Sequence, residues 1–330
     1  MGRIFAGKGR CLSVKLAFLY AGQGSQIPGM GRDLYEACPS VRPIFDLPED
    51  RLGFDLRHLC FEGTEEELSR TRYTQPCMVA FAGAVTRIFQ ESGIRPDYAA
   101  GLSLGEYSAL SCAGVFTPEE AVEVAAFRGR VMEEAAAGHR CKMDALLGAD
   151  RPLAEEVCQK ARTETGKVAE VANLNCAGQV VIGGDAEAVD RAAELALSQG
   201  IKRAVPLRVS GAFHTSLMAP AGQALERYFH QVAFRPMELP VVFNTPARPL
   251  SRGEDVAGML VRQVQSPTRF AESIQWMLEQ GVDTVVEIGP GKVLSGFVKK
   301  SGQLAPGFQL FQAESLESIR EILPQLKKGA

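Results

Sequence analysis

Histidine, tryptophan and long apolar runs are scarce in this chain of 330 residues, and each scarcity removes a class of function. Four histidines and no His-Glu-x-x-His motif leave a zinc site without a visible ligand set, so no metal is expected. The eight cysteines contain no Cys-x-x-Cys pair. In a chain this long they read as reduced thiols in a cytoplasmic setting. No stretch approaches the roughly 20 apolar residues that cross a bilayer, so no membrane role is expected. No long basic run accompanies the net charge of -3, which argues against a nucleic-acid partner. Residues 1–32 lack acids, and Arg3, Lys8, Arg10 and Lys15 precede the apolar run from Leu16 to Ala21. That run is short and has no small-residue cleavage motif, so it reads as a buried first strand behind a basic tail at residues 1–13.

What is present suits a large packed core. Hydrophobic residues make up 46% of the chain and charged residues 23%, which excludes wholesale disorder. Strand-like and helix-like segments alternate, so the expected class is α/β with a mostly parallel sheet. Leu16–Tyr20, Asp97–Gly101, Val241–Asn244 and Thr284–Ile288 read as its strands. Thr74–Gln90 and Leu104–Ala113 read as helices, and so do Ala219–Val232 and Glu314–Lys327. Thr117-Pro118-Glu119-Glu120 is a capping box with proline at the first helical position, opening a helix that Gly138 stops. Between 139 and 208 the order becomes β-α-β-β-α-β, the pattern of a ferredoxin-like α+β subdomain. The simplest organisation is a large domain from residues 14–138 and 209–330, with 139–208 inserted.

Ser103 sits in Gly101-Leu102-Ser103-Leu104-Gly105, between a short apolar approach and a helical run. Gly-x-Ser-x-Gly is the pattern of a nucleophile elbow, where glycines admit a sharp strand-to-helix turn and push the hydroxyl outward. Small residues around a serine also make ordinary turns. A serine nucleophile needs a base. His214 follows the last strand of the insertion in Gly211-Ala212-Phe213-His214, where a loop can return to a cleft or simply lie on the surface. Gln23 lies in a glycine-flanked turn after the first strand, so its backbone N–H and that of Leu104 are candidates for an oxyanion hole. Arg128 carries a fork that matches a carboxylate, but alone it equally suits a solvated pair with Glu123 or Glu133. Gly289-Pro290-Gly291-Lys292 lacks the spacing of a phosphate loop and reads as a turn.

Together these segments resemble the malonyl-CoA:acyl-carrier-protein transacylases of bacterial-type fatty acid synthesis, from about Val14 to at least Phe297. The motifs stand in that family's order. Gly22-Gln23-Gly24-Ser25-Gln26 comes first, then Thr74-Gln75-Pro76, the Ser103 pentapeptide with Glu106-Tyr107-Ser108, and Arg128-Gly129 with Met132. Asn173-Leu174-Asn175, Gly178-Gln179-Val180, the His214 segment and Gly289-Pro290-Gly291-Lys292 follow. The resemblance implies an α/β-hydrolase-like large domain, though the insertion does not suit a true α/β-hydrolase. It assigns Ser103 as nucleophile, His214 as base, and the Gln23 and Leu104 N–H groups as oxyanion donors. It makes Arg128 the clamp on the malonyl carboxylate, the Gln263 carbonyl the group that orients His214, and Met132 and Phe213 the narrowing of the acyl pocket. Two departures stand out: Leu102 replaces the family's usual histidine, and Cys141-Lys142-Met143-Asp144 replaces small apolar residues.

The implied reaction is ping-pong malonyl transfer from malonyl-CoA to the phosphopantetheine thiol of acyl carrier protein through a malonyl-serine, without a cofactor. The carrier is expected to be acidic and to dock transiently, with Lys202, Arg203, Lys299 and Lys300 as candidate rim cations. The alternatives are a carrier-protein acyl hydrolase, a trans-acting polyketide synthase acyltransferase and a non-catalytic docking protein. Arg128 argues against the hydrolase, and the retained Ser103, His214, Gln23 and Arg128 argue against the docking protein.

Overall fold

The computed structural model describes residues 14–301 and 304–329; the expected tail at 1–13 lies outside them. Two sheets organise the chain. The first comprises β1 (Leu16–Tyr20), β2 (Tyr98–Gly101), β7 (Val241–Val242), β8 (Thr284–Ile288) and β9 (Gln309–Ala313), in the order β7-β2-β1-β8-β9. Every pairing within it is parallel. β1 and β8 are buried along their whole length, as a parallel sheet covered on both faces requires. Tyr20 pairs with Gly101 on one side and Ile288 on the other, so β1, β2 and β8 end level. Strand order reverses around β1, and the turns after these three strands meet beyond its carboxyl end, where open α/β sheets place ligands.

The second sheet comprises β3 (Cys141–Leu147), β4 (Ala169–Cys176), β5 (Gln179–Asp185) and β6 (Arg203–Pro206), antiparallel in the order β4-β5-β3-β6. With helices Arg151–Thr165 and Ala186–Ser198 this is the ferredoxin-like arrangement. Strand alternation divides its two faces. Leu146, Val180 and Ile182 pack under the helices, whereas Met143, Ala145 and Val181 face the main core. Thr268 ties this sheet to the large part of the molecule. Its N–H donates to Ala172 O at 3.0 Å, its carbonyl accepts from Leu174 N at 2.8 Å, and its hydroxyl accepts from Asn173 Nδ2 at 2.8 Å.

Most expected elements appear with shifted ends. The helix expected over 74–90 spans Thr71–Glu91 with Pro76 inside it, and packs along helix Pro118–Ala136. The Thr117 capping box with Glu120 is present. β4 runs on to Cys176, with register shifts that absorb two irregularities against β5. β7 is only two residues long because Phe243 turns to pair with Arg248, its N–H donating to Arg248 O at 3.1 Å, and the Asn244 N–H donates to Glu106 Oε2 at 2.6 Å. β9 has no counterpart in the sequence reading. It is an edge strand whose burial is mostly partial, so it carries a weak apolar signal. Lys142 and Asp144, the departure noted above, form an ion pair at 3.0 Å, and Lys142 also reaches Asp190 at 2.5 Å.

Candidate active site

The serine turn is built by close approaches that only glycine permits. A Cβ on Gly101 would sit 2.0 Å from the Gly105 carbonyl carbon, and one on Gly105 would sit 2.1 Å from Tyr20 O. A Cβ on Gly22 would meet Leu102 O at 2.6 Å. Ser103 itself has φ 51, the strained geometry of an elbow, and the helix Gly105–Cys112 starts directly behind it. Asn244 holds the turn. Its Oδ1 accepts the Ser103 N–H at 2.7 Å, and its Nδ2 donates to Gly101 O at 2.7 Å.

His214 also has positive φ, at 63. Its backbone N–H donates to Val264 O at 3.0 Å, which docks the loop on the carboxyl end of helix Val256–Gln263. Nδ1 lies 2.7 Å from Gln263 O and Nε2 lies 2.7 Å from Ser103 Oγ. A carbonyl can only accept, so Nδ1 carries the proton and Nε2 is left as the acceptor facing the serine. Burial pushes the imidazole down to about 4, helped by the nearby Arg128 charge and opposed by the Gln263 carbonyl. His214 is therefore neutral near pH 7.

Arg128 is 1% exposed. Gly129 makes its position possible, since a Cβ there would meet Thr71 O at 2.7 Å where the two long helices cross. Nη1 donates to Gln75 Oε1 at 2.9 Å, and Nη2 donates to Gln263 Oε1 at 3.0 Å and Ser103 Oγ at 3.1 Å. The Tyr107 ring lies 5.2 Å away. The solvated pairing is ruled out, because Glu123 pairs with Arg51 at 2.7 Å and Glu133 with Arg70 at 3.2 Å. All three bonds of Arg128 end on neutral oxygens.

Ser103, His214, Arg128, Gln23, Met132 and Phe213 line one cavity of about 300 Å³ between the two sheets. Leu104 is buried at the head of the elbow helix, and Gln263 stands behind the histidine. Neither the Gln23 nor the Leu104 backbone N–H has an acceptor among the described residues. Leu102, Val293, Leu294 and Phe297 belong to the cavity's apolar lining, and Asn173, Asn175 and Gln179 to its polar lining. A larger concavity of about 630 Å³ lies elsewhere between the sheets and contains none of the candidate residues. The smaller one has the convergent polar groups that chemistry requires.

Sequence reasoning assigned no role to Asn244 or Glu106, to Gln75, or to the Gln263 side chain, whose Nε2 donates to Ser103 O at 2.9 Å. Their common signal was weak. Asn244 follows a strand's carboxyl end, and Gln75 and Glu106 lie in motifs whose other members drew attention first.

Comparison with known proteins bears on the whole chain. A family model for the acyl transferase domain matches residues 17–329. The malonyl CoA-acyl carrier protein transacylase of Bacillus subtilis (strain 168) is 44% identical over 316 residues, 96% of this chain and 99% of that protein. The crystal structure of MCAT from Streptococcus pneumoniae has a TM-score of 0.87 at 47% identity, covering 94% of this chain and 100% of that one. A structure of a type II PKS acyl-carrier protein in complex with its malonyl-transacylase has a TM-score of 0.88 at 37% identity, over 94% and 99%. These matches span both sheets and every residue of the cavity, and the chain belongs to the malonyl CoA-acyl carrier protein transacylase family of acyltransferases.

Proposed function

We propose that the protein transfers the malonyl group of malonyl-CoA to the phosphopantetheine thiol of an acyl carrier protein, by a ping-pong route through malonyl-Ser103, for fatty acid biosynthesis. One observation carries the reading: a buried guanidinium with no acid in hydrogen-bond contact, 3.1 Å from the nucleophile's hydroxyl. A malonyl carboxylate lies two bonds from its reacting carbonyl. With that carbonyl at Ser103 Oγ, the carboxylate falls within reach of Arg128, which supplies the charge and the paired donors it needs.

In the first half-reaction His214 Nε2 takes the Ser103 proton as Oγ attacks the thioester carbonyl. The backbone N–H groups of Gln23 and Leu104 hold the tetrahedral oxyanion, and each such donor contributes on the order of 3 kcal/mol. The intermediate collapses, the CoA sulfur leaves, and the His214 proton goes to it. In the second half the pantetheine thiol gives its proton to His214 and attacks the ester. Ser103 leaves and recovers the proton. Met132 and Phe213 narrow the acyl end of the cavity and disfavour bulkier groups. The chain's own residues supply every step, so the reading needs no cofactor. Lys202, Arg203, Lys299 and Lys300 are exposed and suit an acidic, transient partner. No helix among the described residues is long and apolar enough to cross a membrane, which fits a cytoplasmic setting.

The test is intact mass after mixing with malonyl-CoA, then after adding carrier protein. A transferase gains one malonyl group and hands it to the carrier. Free malonate without an adduct would indicate a hydrolase, and the absence of both would indicate a docking protein.

A further inference from the structure

Arg128 is not the only charged group sealed beside the nucleophile. Glu106, in the first turn of the elbow helix, is also 1% exposed. Its Oε2 accepts the Asn244 N–H at 2.6 Å, and its Oε1 has no partner among the described residues. The Gln263 side chain accepts from Arg128 at Oε1 and donates to Ser103 O from Nε2, and it favours the charged form of Glu106. The titratable groups facing Glu106 are Arg128, from helix Pro118–Ala136, and Tyr107, on its own helix. The loop after β7 and helix Val256–Gln263 present the neutral Asn244 and Gln263, and His214 stands beyond Arg128. The Glu106 field helps to keep the buried guanidinium charged.

We propose that Glu106 is the resident counter-anion of Arg128 and gives up its charge, by taking a solvent proton onto Oε1, when a substrate carboxylate docks on the guanidinium. The inference rests on the malonyl reading of the same site. Two carboxylates beside one buried guanidinium repel each other, and a low dielectric sharpens the repulsion. The resident carboxylate is the one that yields. Burial already lifts it to about 7, against the pull of the Asn244 N–H, Gln263 and Arg128. A docked malonyl cancels the Arg128 pull and adds a like charge. Above about pH 7, where Glu106 is charged in the free enzyme, it thus acts as a charge-compensating residue that leaves Arg128 with one net counter-charge in both states of the enzyme.

Proton stoichiometry tests this, because acylation itself hands the Ser103 proton to the CoA sulfur. Malonyl-CoA is added without carrier protein to the whole enzyme in weak buffer containing a pH indicator, and adduct formation is followed by intact mass. The readout is the wild-type uptake minus that of Glu106→Gln, which subtracts ionisation of the CoA thiol. The expected difference is about half a proton per malonyl group at pH 7, rising toward one at pH 8 and falling toward none at pH 6. Equal uptake by the two proteins, with adduct present in both, overturns the inference and leaves the malonyl reading standing. Absence of the adduct overturns the malonyl reading, and the inference with it. Should Glu106→Gln fail to fold, infrared difference spectra of the wild type labelled with 13C-glutamate serve instead. A labelled, protonated carboxyl band should appear on malonylation at pH 8, and its absence alongside adduct overturns the inference.

Discussion

Replacing Arg128 with Ala separates substrate recognition from stability. On the proposed reading a docked malonyl carboxylate would receive two charge-assisted hydrogen bonds from a guanidinium that is 1% exposed, so solvent would screen them little. Truncating such a buried pair costs on the order of 3–5 kcal/mol. At 1.36 kcal/mol per tenfold, kcat/KM for malonyl-CoA should fall by roughly 10²–10³ or more. The free enzyme should lose far less. Arg128 has no carboxylate within hydrogen-bonding contact, and its Nε has no partner among the described residues, so the variant sheds a costly buried charge. It also strands the Gln75 side-chain oxygen, on a cavity wall that water can reach, and the Gln263 side-chain oxygen, which is buried behind it. Transfer of malonyl and of acetyl, which lacks the carboxylate, should be measured with the same carrier protein, beside a thermal melt. The malonyl rate should collapse, the acetyl rate should change less than about tenfold, and the melt should move little. Undiminished malonyl transfer would refute the clamp. Equal losses for both substrates would refute it in another way, by showing that Arg128 acts through its bond to Ser103 Oγ.

His214 should make the fold acid-sensitive. Burial, with Arg128, lowers its folded pKa to about 4 from an ordinary 6.5, so between those values the unfolded chain binds more protons. Stability therefore rises with pH across that window, and acidification from 6.5 to 4 should remove about 3 kcal/mol, seen in urea titrations and smaller in His214→Gln. Two glycine substitutions should move thermal stability in opposite directions. Gly105→Ala drives a Cβ to 2.1 Å from Tyr20 O and should cost about 3 kcal/mol or more, whereas Gly296→Ala meets nothing within 4 Å and should gain up to about 1 kcal/mol in its helix. Asn244→Ala strips the acceptor from Ser103 N and a donor from Gly101 O, a cost of about 1–3 kcal/mol for each stranded group. Steady-state kinetics should show kcat lowered and KM for malonyl-CoA near the wild-type value.

The part of the site legible in the sequence is the part whose constraints are local. Gly101 and Gly105 are needed because backbone passes 2.0 and 2.1 Å from where their Cβ atoms would lie, far inside van der Waals contact, so the elbow is written in five consecutive residues. Arg128 was ambiguous for the opposite reason. Its environment depends on where Glu123 and Glu133 turn, and those acids are taken by Arg51 and Arg70 from other segments. Gln263 is harder still. The group it offers His214 is a main-chain carbonyl, which every residue has, so only family resemblance pointed to it. Asn244 acts through space on the turn and on Glu106 from about 140 positions away in sequence, and no period or spacing encodes that. The fold divides in the same way. The fully buried β1 and β8 announce themselves as apolar runs, whereas β9, half covered at the sheet edge, does not.

What the distant residues accomplish explains why they are needed. Ser103 and His214 are two of the three non-glycine residues with positive φ among the described residues, and such strain persists only where surroundings over-determine it. Asn244 fixes the serine from the end of β7, and Val264 with Gln263 fixes the histidine from the end of a helix. The strained pair is thus held by segments that do not themselves face the cavity. The cavity lining is left free to mix apolar and polar groups, and substrate preference can change there, as at Leu102, without loosening the 2.7 Å contact between hydroxyl and imidazole.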